Sequence, residues 1–202
     1  MKRISTVLFA SLLIGLASPA AAQFGTLLEQ GAKRAKQVND FRWTDEEKAQ
    51  LGAQVSELVR TRYGVVQDPA VHKYVTLVGR TITDKSTKPG LPWTFIVLDT
   101  DAVNAFAAPH GYVHVTRGAL ALMKNEAELA GVLAHEIVHV TEEHTIDALK
   151  KNTIKSAAAE EAAGAAGGLM TFLANAAYAN IIDNAYSRGD ENGADTQGIV
   201  LI

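Results

Sequence analysis

The sequence contains no cysteine. Disulfides, a cysteine-rich structural zinc site and the lipidated cysteine of a lipoprotein anchor are therefore excluded. Nor is there an excess of positive charge: 19 Lys and Arg stand against 22 Asp and Glu, a formal net charge of −3. A surface of that sign offers no footprint for nucleic acid, and no nucleic-acid partner is expected. Apolar runs of membrane length are scarce as well. The run Ile4–Ala17 falls short of the roughly 20 residues that a bilayer crossing demands.

What stands at the N-terminus instead is Lys2 and Arg3, that apolar run, Pro19, and the small residues Ala20, Ala21 and Ala22. This is the pattern of a secretory signal peptide cleaved after Ala22. It predicts a periplasmic or secreted protein with no stable membrane span once residues 1–22 are removed. Residues 23–44 read as an N-terminal linker, and 45–202 as one domain with enough chain to bury a core. No repeat of solenoid length is present.

Within that domain the local signals are explicit. Thr44 with Glu47 forms a capping box ahead of Leu51, Val55, Leu58 and Val59 at helical spacing, a helix that should end near Tyr63 and Gly64. Asp68 followed by Pro69 starts a second helix, with an apolar face running to Gly79. Trp93–Leu98 reads as a buried strand. Ala105–Thr116 reads as a second strand or strand pair, in which Tyr112, His114 and Thr116 alternate with Val113 and Val115. From Asn125 a long helix is expected, apolar around much of its circumference and hence central. Helices around a small sheet make an α+β arrangement.

The chemistry is concentrated in His135-Glu136-Ile137-Val138-His139, inside that last helix. Positions i and i+4 lie one turn apart on one face, so both imidazoles can meet one tetrahedral ion. Glu136 lies beside that face, within reach of a metal-bound water without ligating the metal. A catalytic zinc keeps three protein ligands and one water, whose pKa falls to about 7. Glu136 then serves as general base, taking the proton from the attacking water and passing it to the leaving amine. Apolar neighbours Val132, Leu133, Val138 and Val140 argue against two histidines on a merely solvated helix.

A third ligand is required, and Glu142, Glu143, His144, Glu160, Glu161, Asp183, Asp190 and Glu191 are candidates. The first three continue the same rod and rise away from His135. Glu191 is preferred because Asp195 follows four residues later, on one face of a helix that Ser187 or Asp190 can cap. Asp195 can then accept a hydrogen bond from the free ring nitrogen of a ligand histidine. One Zn2+ per chain is the expected cofactor, held by His135, His139 and Glu191. The uncharged stretch 162–182 looks like a membrane span, but a single crossing there would separate His139 from Glu191. It is read instead as packed helices over or near the cleft, with a buried Ala-rich core helix as the plainer alternative.

Several strings resemble one known family. They are Asn104-Ala105-Phe106-Ala107 with Pro109 and Gly111, then GVLAHEIVHV after Glu128 and Leu129, then Ser187-Arg188, Glu191 and Ala194-Asp195. With Tyr63-Gly64 and Asp68-Pro69 they resemble the zinc metallopeptidases that include HtpX, the CAAX prenyl proteases and periplasmic proteases such as BepA and LoiP. The resemblance implies a gluzincin-like domain with both histidines and Glu191 on zinc. It implies that Asn104–Leu120 forms an edge strand lining the cleft, where Asn104, Ala105, Phe106 and Ala107 bind substrate peptides by strand addition. It implies quality-control proteolysis of misfolded or unassembled envelope proteins as the function.

Two positions depart from the family pattern. His110 stands where glycine is usual and His114 where an apolar or aromatic residue is more frequent, and both read as surface variation on the edge strand. The chain also stops at Ile202, where relatives continue toward a histidine thought to help stabilise the oxyanion, so a C-terminally truncated member is expected. A non-catalytic, chaperone-like binding module using the same cleft is the competing reading. A purely structural zinc is disfavoured, because such sites take four protein ligands and usually cysteine.

Overall fold

In the computed structural model, residues 43–151, 169–182 and 186–202 are described. The expected signal peptide, most of the linker and the first part of the Ala/Gly-rich segment 157–182 lie outside them.

Helix α1 (Asp45–Tyr63) begins at the Thr44–Glu47 capping box, with both reciprocal bonds made at 3.2 and 2.8 Å. It stops at Gly64, whose φ of 72° takes the chain out of the helix. Helix α2 (Pro69–Thr83) starts as read, with Asp68 Oδ1 accepting from the Ala70 amide at 2.8 Å. It runs past Gly79. That glycine is a point of close packing, where an added Cβ would collide with the Phe95 ring.

Strands β1 (Thr94–Leu98), β2 (Ala105–Ala108) and β3 (Tyr112–Thr116) form one sheet in the order β1-β3-β2. β3 is parallel to β1 and antiparallel to β2. The segment read as a single edge strand therefore divides. β2 is the edge, Pro109–Gly111 is a 3-10 turn, β3 is the centre of the sheet, and Arg117–Leu122 is a short helix, α3. His110 sits in that turn with a φ of 63°. A left-handed backbone is what glycine adopts most readily, so a glycine would fit this turn with less strain.

The sheet is covered on both faces. Phe95, Val97, Ala107, Val113 and Val115 pack with α2 and with helix α4 (Glu126–Thr141), which is capped by Asn125. Ile96, Leu98, Phe106 and Ala108 pack on the other side with α1, with Ile146 and Leu149 of the helical residues 144–151 (α5), and with helix α6 (Leu169–Ile182). The described part of the Ala-rich segment is thus a packed helix whose Leu173, Ala174, Ala177 and Ile181 are buried. None of the helices is long and apolar enough to cross a membrane, among the described residues. Burying Leu129, Leu133 and Ile137 of α4 contributes roughly 1.5–3 kcal/mol each. The architecture is α+β, mostly helical with a small sheet.

His114 is not on the surface. It is fully buried on the central strand, because the face carrying Tyr112, His114 and Thr116 packs on α1 rather than meeting water. Its Nε2 lies 2.9 Å from Ser56 Oγ of α1 and its Nδ1 3.4 Å from the Phe106 carbonyl of β2, so both ring nitrogens have partners. Burial above all, with the Arg60 charge adding, pulls its pKa down to about 4, while the Phe106 carbonyl opposes the shift. α4 also ends sooner than a continuous rod would. It closes at Thr141, and Glu143 takes a left-handed φ of 58°, so the chain after it turns back.

Two outcomes follow from this packing. Gly79→Ala should lower stability by roughly 1–3 kcal/mol through overpacking against Phe95, although alanine is the better helix former. Gly131→Ala in α4, where an added Cβ meets nothing within 4 Å, should raise stability by up to about 1 kcal/mol. Thermal denaturation of both variants checks the pair. For His114, the native state resists protonation that the unfolded chain accepts below its ordinary value of 6.5. Its contribution is therefore complete above that value and is lost as pH falls toward about 4, on the order of 3 kcal/mol in all. Urea unfolding from pH 7 to pH 4 should show a shallower loss for His114→Gln than for the parent; parallel curves would contradict the assignment.

Candidate metal centre

α4 carries His135 and His139 one turn apart, with ring centroids 4.7 Å from each other. The second element of the site is helix α7 (Arg188–Leu201), started by a capping box in which Ser187 is the cap and Asp190 its reciprocal partner. α7 lies close against α4. A Cβ at Gly198 would come within 3.3 Å of the His135 amide, so the small residue lets the two backbones approach. This docking brings the first turn of α7, with Glu191, over the two histidines.

The three groups converge. His135 Nε2 lies 3.0 Å from His139 Nε2 and 3.4 Å from Glu191 Oε2, while His139 Nε2 lies 3.7 Å from Glu191 Oε1. Donors bonded to one tetrahedral zinc at about 2.0–2.1 Å would sit roughly 3.3 Å apart. The observed separations straddle that spacing, and nitrogen and carboxylate donors suit zinc. Asp195 lies one turn beyond Glu191, and its Oδ1 is 2.9 Å from His135 Nδ1. A proton on that Nδ1 leaves the Nε2 lone pair aimed at the cluster.

His139 is only 2% exposed in its side chain. Burial, then its neighbours His135 and His144, pull its pKa down to about 3, which keeps the ring neutral as a ligand must be. The Tyr186 ring stacks on it at 4.5 Å between centroids, and the Tyr186 hydroxyl meets Thr145 Oγ1 at 2.8 Å. Burial raises the pKa of that phenol, so it stays protonated.

Glu136 keeps some access to a cleft of about 400 Å³, although protein atoms crowd its carboxyl. Burial first, and the Glu191 charge second, push its pKa up to about 8. The same cleft is edged by Asn104, Ala105, Phe106 and Ala107. Phe106 and Ala107 are buried, whereas Asn104 and Ala105 are half-buried and offer more surface to the cleft.

The expected residues are thus brought together: His135, His139, Glu191, Asp195 and Glu136 around one point, and Asn104–Ala107 along one wall. The structure adds two residues to the site, Tyr186, which the sequence does not single out, and His144, a candidate that helical geometry disfavours. A continuing rod would carry His144 away from His135, but the turn at Glu143 returns its Nδ1 to within 2.8 Å of His139 Nδ1. No glycine or proline signals that turn. Tyr186 had only its position beside the Ser187 cap as a hint.

The sequence pattern of Peptidase family M48 matches residues 69–202. The chain belongs to this family. A beta-barrel assembly-enhancing protease of Yersinia pestis is 30% identical over 157 residues, covering 71% of this chain and 32% of its own length. The protein of the same name from Escherichia coli K12 is 27% identical over 150 residues, covering 74% and 30%. Mitochondrial metalloendopeptidase OMA1 of Schizosaccharomyces pombe is 32% identical over 150 residues, covering 71% and 43%. This M48 chain spans about a third of the length of the bacterial relatives it matches. The family and these relatives support a metallopeptidase.

Proposed function

We propose that the protein is a zinc-dependent metalloendopeptidase in which His135, His139 and Glu191 hold the ion, Asp195 orients His135, and Glu136 is the general base. The observation that carries the reading is the convergence of those three donors beside Glu136, in a cleft whose wall is an open strand edge. When bound, zinc would polarise the scissile carbonyl and acidify a water.

The chain's own residues supply the rest. The outer edge of β2 lies outside the sheet's ladder, so an extended peptide can pair with Asn104–Ala107 through main-chain hydrogen bonds. Such pairing holds the scissile bond beside Glu136 with little regard for sequence. Glu136 takes a proton from the attacking water and delivers it to the leaving amide nitrogen. Burial raises the affinity of this carboxyl for a proton, which suits it to take one up and pass it on.

An open strand edge selects for extended, unfolded chains. That property, the secretory pattern of residues 1–22 and the names of the bacterial relatives support misfolded or unassembled envelope proteins as substrates, encountered in the periplasm.

Zinc content and cleavage of unfolded casein, measured together, test the assignment. Glu136→Gln should retain zinc and lose cleavage by about 10²–10⁴-fold; undiminished cleavage would overturn its role. Glu191→Ala should lose zinc and activity together, and stoichiometric zinc in that variant would remove Glu191 from the ligand set.

A further inference from the structure

His139 requires a proton on Nδ1 if its Nε2 is to face the cluster with a lone pair. For His135 that proton is accepted by Asp195. For His139 the acceptor at hydrogen-bonding distance, among the described residues, is another imidazole. His144 Nδ1 lies 2.8 Å from His139 Nδ1. If it accepts there, the proton of His144 belongs on Nε2, which faces Asp190 Oδ1 at 4.0 Å. The three groups then stand in an order that fixes one tautomer for each ring, with the Asp190 carboxylate behind the outer imidazole.

The position of His144 is built rather than incidental. Glu143 adopts the left-handed backbone that breaks α4 from α5. Its Oε1 is clasped at 2.7 Å by Lys48 Nζ from α1 and at 2.7 Å by Lys88 Nζ from the loop after α2. A non-glycine residue in that conformation costs about 1–2 kcal/mol, and the two ion pairs hold it there from two different elements. Thr145, the next residue but one, secures the Tyr186 ring over His139. His139 is thereby gripped at its Nδ1 and on its ring face by one short stretch of chain.

We infer that His144 is a positioning residue, the hydrogen-bond acceptor that fixes the tautomer and orientation of His139 for metal binding. The inference rests on the reading of His139 as a zinc ligand. Losing such an outer partner typically weakens metal binding about 10–100-fold.

The test uses the full chain. Zinc affinity is measured by chelator competition, and the visible spectrum of the cobalt-substituted protein is recorded, for the parent, His144→Leu and His144→Asn. Leucine removes the acceptor while keeping apolar volume, whereas the asparagine carbonyl oxygen can stand near the place of Nδ1. His144→Leu should weaken zinc binding 10–100-fold and shift the cobalt bands, and His144→Asn should recover most of that loss. Parent-like affinity and spectrum in His144→Leu would overturn the inference. Equal losses in both variants would also overturn it, since packing and not the hydrogen bond would then be responsible. Failure of the parent protein to bind zinc would instead strike the ligand assignment itself.

Discussion

Two imidazole nitrogens of His135 and His139 face each other at 3.0 Å. In the proposed zinc site both lone pairs point inward, an approach that is repulsive unless positive charge lies between them, so each ring has to be held from behind. Much of the surrounding structure serves this constraint. Asp195 on α7 holds His135, and the turn after α4 delivers His144 to His139. α4 itself is fixed by burying Leu129, Leu133 and Ile137 against the sheet and α2. The rings cannot relax apart by moving the helix, because the helix is the core.

The constraint also explains why the site is assembled from distant parts of the chain. One helix can offer two nitrogens a turn apart, but its own later residues rise away at 1.5 Å each. A third donor must come from a second helix lying across the first. Gly198 permits that approach at His135, and the Ser187–Asp190 capping box sets where α7 begins, hence where Glu191 falls. Asp190 has a double position, bonded within the cap and facing His144 Nε2 at 4.0 Å. The start of α7 and the outer imidazole of the site are in this way tied to one carboxylate.

How much of this was legible depended on whether the governing force was local. The starts of α1, α2 and α4 follow from Thr44-Glu47, Asp68-Pro69 and Asn125, where a side chain meets a backbone amide two or three residues away. The His135–His139 pairing is likewise a matter of helical spacing. The role of Gly79 was hidden because a glycine that admits an aromatic ring shows nothing of it without the partner, Phe95. His114 misled because period-two alternation says that a strand has two faces, not which of them another helix covers. The turn at Glu143 was illegible since the lysines that clasp its carboxylate arrive from 95 and 55 residues away. Three charged or polar residues in a row give no local reason to leave the helix.

The three-stranded sheet carries an asymmetry that bears on function. An open strand edge invites unwanted pairing, and proteins ordinarily cover or interrupt it. The outer edge of β1 is covered, since Val66 donates to the Val97 carbonyl at 3.0 Å and Val65 bridges to Leu98. β2, on the other side, is four residues long and closed off by Pro109, and it lies along the cleft rather than on the outer surface. Its shortness limits what can pair with it to a brief extended stretch. The His114 ring, bonded to the Phe106 carbonyl from the neighbouring strand and to Ser56 of α1, adds a side-chain tie to the backbone ladder. β2 is therefore unpaired at its outer edge, among the described residues, yet fastened from within, which suits the proposed pairing of a substrate chain beside Glu136. A mobile edge would bind as many chains but align few of them, and alignment of reacting atoms is what turns binding into cleavage.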